Sequence, residues 1–184
     1  MQIMALDIAS HAMGICEGKI GEIPTFSTQV FHVEGGTRYE IGAKAVNWIA
    51  TRLQKPAIDI GGQWQRPDFI YIEAPLAGGQ KFHRSPDTAY LLGGLAMTIG
   101  AIASCKHIPV REGRVNTIRA HFIGNGNMPG EEAKRAVRKR CLQLGWEPKN
   151  NDESDAGALW HWACSQQSKS VQTSMNLKFS RAGG

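Results

Sequence analysis

Three groups of carboxylates stand where apolar runs of this chain end or begin. Asp7 closes Met1-Gln-Ile-Met-Ala-Leu-Asp7, and Glu73 closes Phe69-Ile-Tyr-Ile-Glu73. Asp152 and Asp155 open the helix-like run Asp152-Glu-Ser-Asp155-Ala-Gly-Ala-Leu-Trp160. An acid at the end of a buried strand is costly unless its charge is offset. Several such acids converging repel one another unless a divalent cation lies between them. Oxygen-only donors suit magnesium or manganese and give zinc or copper little. Such a cluster points to phosphodiester chemistry, in which two metal ions about 4 Å apart activate water and stabilise the leaving oxygen.

Taken singly, each acid has a structural explanation. An Asp where a strand runs into a turn satisfies nearby amides, and that role suffices for Asp7 alone. Asp152 as a helix N-cap, with Asp155 at the third helical position, reads as a capping box set against the helix dipole. Glu73 is harder to place, because Glu is depleted in strands and here follows Ile-Tyr-Ile directly. The conjunction changes the balance. If the strands of Asp7 and Glu73 are parallel neighbours, both acids emerge at one sheet edge. The last helix then needs only to dock its first turn there.

The elements that must position these groups follow from hydrophobic period and turn residues. Strands are expected at Gln2 to Ile8, Met13 to Lys19 and Phe26 to Val33, and Gly35-Gly36 ends the third. Thr37 and Glu40 form a capping box for a helix carrying Ile41, Ala45, Trp48, Ile49 and Leu53 on one face. Asp68 to Glu73 is a fourth strand, stopped by Pro75. A Gly-rich basic loop follows from Leu76 to Pro86, with Lys81, Phe82, His83 and Arg84. Next come an apolar helix from Thr88 to Cys105, a short fifth strand near Ile108 to Arg111 and a short helix from Thr117 to Ile123. Glu131 to Leu144 is amphipathic, with Ala133, Val137, Cys141 and Leu144 on one face and Lys134, Arg135, Arg138 and Lys139 gathered on the other. Asp152 to Gln166 is the last helix. Hairpin-connected strands followed by alternating helix and strand predict an α/β fold with a mixed sheet covered by helices. Residues 1–168 form one domain, and the Ser-, Gln- and Lys-rich stretch 169–184 is expected to be a flexible tail.

The chain of 184 residues carries a net charge of +5 although the proposed site concentrates acids, so the remaining surface is more basic than the total implies. A basic surface favours a polyanion, either nucleic acid or an acidic membrane face. Cys16, Cys105, Cys141 and Cys164 lie far apart without a CxxC pair, which fits a reducing compartment and thiols acting as small hydrophobes. His161 and Cys164 lack a second pair to complete a zinc set. No signal peptide is expected, since Asp7 follows at once with no basic segment before it. Thr88 to Cys105 approaches membrane-spanning length but is diluted by Gly93, Gly94, Gly100 and hydroxyl residues, so a buried helix at a subunit interface is the better reading. Paired glycines at 35–36, 61–62 and 78–79 lack a P-loop Lys-Ser/Thr, and Ser10-His11 lacks the elbow of a hydrolase triad. Trp64 sits in a basic loop, where a loop anchor competes with a base contact.

The ordered set Ile3-Met-Ala-Leu-Asp7 with Gly14, Tyr71-Ile-Glu73, and Asp152-Glu-Ser-Asp155-Ala-Gly-Ala-Leu159 resembles RuvC-type Holliday junction resolvases of the ribonuclease H-like superfamily. Leu91-Leu-Gly-Gly-Leu-Ala-Met97 is similar to the long helix after that family's second acid, and Phe122-Ile-Gly-Asn-Gly126 to its glycine stop before a basic helix. The resemblance covers about the first 165 residues. It implies a ribonuclease H-like fold on a five-stranded mixed sheet, with Asp7, Glu73, Asp152 and Asp155 as catalytic ligands of Mg2+, for which Mn2+ substitutes. Arg119 and Lys134 fall where the family places basic residues near the scissile phosphate. Leu76 sits close to the family's junction-wedging aromatic, a role Phe82 in the same basic loop is able to take, with Lys81, Arg84, Arg138 and Lys139 as further DNA contacts. Asp7-Ile-Ala-Ser10 replaces the bacterial Asp-Pro-Gly and is closer to the phage-borne branch. The implied protein is a cytoplasmic homodimeric endonuclease that cuts branched DNA and leaves a 5′-phosphate and a 3′-hydroxyl. The alternatives are a ribonuclease H-like nuclease acting on flaps, hybrids or single strands, and a non-catalytic DNA-binding accessory with the same fold.

Overall fold

A computed structural model describes residues 1–54, 66–74 and 86–168. Its strands are β1 (Gln2–Ile8), β2 (Ala12–Lys19), β3 (Thr25–Val30), β4 (Phe69–Glu73) and β5 (Val110–Gly113). The helices are α1 (Arg38–Gln54), α2 (Pro86–Cys105), α3 (Val115–Ile123), α4 (Gly130–Gln143) and α5 (Asn151–Gln167). One mixed sheet runs β3-β2-β1-β4-β5. β1–β2 and β2–β3 are antiparallel hairpin pairs, whereas β4 joins β1 and β5 joins β4 in parallel. The parallel pairs are the ones whose connections contain helices, as crossover geometry demands.

Alternation along β1 sorts the core into two layers. Met4 and Leu6 face α1 and α2, meeting Ile41, Ala45, Ile49, Leu95 and Ile99. Ile3 and Ala5 face the other way, toward Ile118, Phe122, Val137, Cys141, Ala156 and Leu159 of α3, α4 and α5. Tyr71 of β4 lies in this second layer and Ile70 and Ile72 in the first. The period of two therefore sends the next members, Asp7 and Glu73, to the α5 side of the sheet. Register places them side by side, since Leu6 pairs with Ile72 in the parallel β1–β4 ladder. Both acids thus leave the sheet at one edge and on one face.

Several boundaries differ from the sequence expectation for local reasons. The ladder of β3 stops at Val30 and the next residue, Phe31, turns into the core. The fifth strand begins two residues late, because the Ile108 N–H is taken by the Ala103 carbonyl at the end of α2 (3.0 Å). The Thr37–Glu40 capping box forms as expected: the Thr37 N–H donates to Glu40 Oε2 at 2.6 Å and the Glu40 N–H to Thr37 Oγ1 at 3.3 Å. On α5 the expectation is corrected. Asn150, not Asp152, is the N-cap, and its Oδ1 accepts the Glu153 N–H at 2.8 Å. The shift releases Asp152 and Asp155 from capping.

Three of the cysteines, Cys16, Cys141 and Cys164, are buried, and all four are unpaired. Burial pushes the Cys141 and Cys164 thiols up to about 12, so they remain protonated packing groups. The 169–184 stretch lies outside the described residues.

Candidate active site

Register and packing bring the separate acids together. Asp7 ends β1, Glu73 ends β4, and the first turn of α5 lies over the neighbouring hairpin strand. Asp7 is the cross-strand partner of Gly14 on β2. A methyl group at Gly14 would sit 2.0 Å from the Asp152 carbonyl oxygen and 2.8 Å from the Glu153 nitrogen. Glycine there removes the side chain that would hold α5 off the sheet, so Asp152 and Asp155 reach the level of Asp7. The resulting cleft, about 280 Å³, is lined by Asp7, Glu73, Asp152 and Asp155, with Arg119 from α3, Lys134 from α4, Ser10 after β1 and Thr88 from α2.

The charge balance is strained. Burial raises the Asp155 carboxyl to about 6, with Asp152 adding repulsion and with Arg119 and Lys134 opposing the rise. Asp152 is also raised by burial and by Glu153, and Lys134 opposes it. Two cations therefore offset the acids only in part. The lining offers four carboxylates and neither thiolate nor imidazole, the donor set that fits a hard divalent cation. Among the described residues no three such side chains are closed into a ready ion-binding cluster, so the acids surround a cleft rather than a cage. Lys134 Nζ also meets Glu131 Oε1 at 3.3 Å, an exposed i,i+3 pair that ties it loosely to its own helix.

The other sequence candidates lie elsewhere. Arg138 points its guanidinium at the Lys149 carbonyl (3.5 Å from both terminal nitrogens), at the connection between α4 and α5. Lys139 is exposed on α4 and, like Arg138, does not line the cleft. Lys81, Phe82 and Arg84, with Leu76 and Trp64, fall outside the described residues. Sequence reasoning missed Glu153 and its partners Thr28 and Asn150, although the Asn150-to-Glu153 spacing is itself a capping signal.

No family model matches the sequence, and no curated protein matches it. Similarity is found among solved structures. The chain resembles the Thermus thermophilus RuvC structure, with 18% identity, a TM-score of 0.60 and coverage of 86% of this chain and 90% of that one. It likewise resembles T. thermophilus RuvC in complex with a Holliday junction substrate, at 19% identity and a TM-score of 0.62 over 86% and 90% of the two chains. The crystal structure of the yeast mitochondrial Holliday junction resolvase Ydc2 matches at 10% identity and a TM-score of 0.57, covering 85% of this chain and 75% of that one. This chain therefore has the ribonuclease H-like fold in the form taken by RuvC, as the ordered acid motifs led one to expect.

Proposed function

We propose that this protein is a magnesium-dependent, structure-selective DNA endonuclease that resolves Holliday junctions or related branched DNA. One observation carries the reading: Asp7, Glu73, Asp152 and Asp155, spread over some 150 residues of chain, line one cleft together with Arg119 and Lys134. The fold shared with RuvC, one of whose structures holds a Holliday junction substrate, supports the substrate class.

In this reading the four carboxylates hold divalent magnesium or manganese. When bound, such ions supply Lewis-acid stabilisation of phosphoryl charge and make water a better nucleophile. The carboxylates orient that water toward the scissile phosphate. Arg119 from α3 and Lys134 from α4, which line the same cleft, meet phosphate oxygens and compensate charge that develops during displacement. Burial raises the Asp155 carboxyl to about 6, and a divalent cation held by these carboxylates would favour its charged form.

Two symmetric cuts on a four-way junction call for a two-fold dimer. The helix α2 supports one. Among the described residues it is the helix long and apolar enough to cross a membrane, yet only 28% of its apolar window is buried. Its inner face, Leu92, Leu95, Ala96, Ile99 and Ala103, completes the core. Its outer face exposes Tyr90, Gly94, Met97 and Ala101 at spacings of four, three and four, the pattern of a helix–helix seam. A second copy of α2 covers that seam in the proposed assembly, which works in the cytoplasm.

The test is to incubate the purified protein with four-way, flap, hybrid and single-stranded substrates, with and without Mg2+. Junction cleavage that requires Mg2+ and falls by about two orders of magnitude or more in Asp7→Asn is expected. Preference for flaps or hybrids would reassign it to another ribonuclease H-like nuclease. Junction binding without Mg2+-dependent cleavage would make it an accessory.

A further inference from the structure

Between Asp152 and Asp155 lies a third acid that faces away from the cleft. Glu153 is 2% exposed and is the one acid in the buried interior among the described residues. A carboxylate in that position is tolerated only if its oxygens are well supplied with donors. They are. Oε1 accepts from the Thr28 hydroxyl at 2.8 Å, and Oε2 accepts from the Lys149 N–H at 2.6 Å. The loop is closed by Asn150, whose Nδ2 donates to Thr28 Oγ1 at 2.8 Å while its Oδ1 caps the Glu153 N–H.

Sheet register gives this network its meaning. Asp7 pairs with Gly14, and Gly14 pairs with Thr28, so the three form one row across β1, β2 and β3. Directly opposed residues in antiparallel strands project to the same face. The first turn of α5 lies along that row. Asp152 passes over Gly14, Glu153 is bound to Thr28 at the outer end, and Asp7 waits at the inner end.

We propose that Glu153 is a positioning residue that, with Thr28 and Asn150, clamps the first turn of α5 onto this row and so sets the approach of Asp152 and Asp155 to Asp7 and Glu73. The inference rests on the reading that those four acids hold divalent ions. A carboxylate is required because both of its oxygens face donors. An amide would set an NH2 group either against the Lys149 N–H, donor facing donor, or against Thr28 Oγ1, where the hydroxyl would have to turn its proton away and both charge-assisted bonds would become neutral ones. Either exchange weakens the clamp and loosens the position of its neighbour Asp152 over the cleft.

The test compares wild type with Glu153→Gln, Thr28→Val, Thr28→Ser and the double variant E153Q/T28V. Readouts are Mn2+ binding by calorimetry, amide hydrogen exchange over residues 149–155 of the metal-free protein, junction binding without divalent ions, and junction cleavage. Glu153→Gln and Thr28→Val are expected to weaken Mn2+ binding about tenfold or more, the range seen when groups supporting metal ligands are removed. Both should speed exchange at the α5 start, with metal-free junction binding within about twofold of wild type, and Thr28→Ser should restore wild-type behaviour because it keeps the hydroxyl. The double variant should be no worse than the poorer single one, since both break the same clamp. Wild-type Mn2+ affinity in Glu153→Gln, or single losses that multiply in the double, would overturn the proposal. If Glu153→Gln does not fold, the Thr28→Val and Thr28→Ser pair decides by the same criteria. A wild-type protein that binds no Mn2+ and cuts no junction would instead refute the nuclease reading, and this inference with it.

Discussion

Gly14 shows how much of the site depends on an atom that is not there. Its missing Cβ lets the Asp152 carbonyl pass within what would be 2.0 Å. Gly14→Ala therefore has to push either β2 or α5 away. The expected cost is about 1–3 kcal/mol of stability, as for other overpacked positions, together with loss of Mn2+ binding. Thermal melts with and without Mn2+ check both, and a variant whose melting point still rises fully with Mn2+ would show that α5 docks without this approach. At this scale the sequence was half legible. The acids stood out, because carboxylates that punctuate apolar runs need an explanation. Gly14 was visible only as part of a motif, since nothing local distinguishes a glycine that accommodates a helix from one that eases a strand. Glu153 was hidden for the opposite reason: acids abound in first helical turns, and its burial comes from Thr28, 125 residues away.

At the scale of elements, α2 and α5 divide the molecule's tasks. Helix α5 is buried along almost its whole length and was readable as a helix, but its start was not. Asp152 looks like a cap by residue type, yet Asn150 wins because its Oδ1 reaches the Glu153 N–H while its side-chain amide holds Thr28. Only the sheet, through β3, selects between the two. Strand ends were displaced for similar reasons, as at Val110, where the turn closing α2 takes the Ile108 N–H two residues earlier. Helix α2, by contrast, carries its exposed face openly in the sequence. Met97 is 75% exposed and Tyr90 69% exposed, so charge placed there need not disturb the core. Met97→Lys combined with Ala101→Glu is expected to convert a dimer into a folded monomer, as read by light scattering during size-exclusion chromatography, with little change in far-UV dichroism. Should the wild type itself run as a monomer at micromolar concentration, the proposed two-fold assembly fails.

For the molecule as a whole, the +5 charge coexists with a cleft of four acids, and α4 carries Arg135, Arg138 and Lys139 outside that cleft. If phosphates dominate junction binding, log affinity should fall linearly with log salt. Arg138→Gln with Lys139→Gln should reduce that slope by about one per lost phosphate contact. An unchanged slope removes this face of α4 from the interface. Acid sensitivity has a separate source. His161 is buried, with its Nδ1 2.9 Å from His121 Nε2, and Arg140, Phe122 and Trp146 complete its surroundings. Burial, then His121 and Arg140, drive its pKa down to about 3, and burial lowers that of His121. A depressed histidine is neutral when folded and takes up a proton when unfolded, so its contribution is complete above about pH 6.5 and is lost progressively as pH falls toward 3. Urea unfolding at pH 7 and pH 5 should show a larger loss in wild type than in His161→Phe. Equal losses would place the acid sensitivity elsewhere.

The order in which the chain supplies its parts has a last consequence. Asp7 belongs to the first strand and Asp155 to the last helix, with the entire sheet laid down between them. A polypeptide interrupted anywhere before Asn151, whether by stalled synthesis or by a protease, owns at most two of the four anionic groups. In the proposed nuclease such a fragment would lack half of the acids that hold the metal, so any cutting of DNA would await synthesis through Asp155 and docking of the last helix.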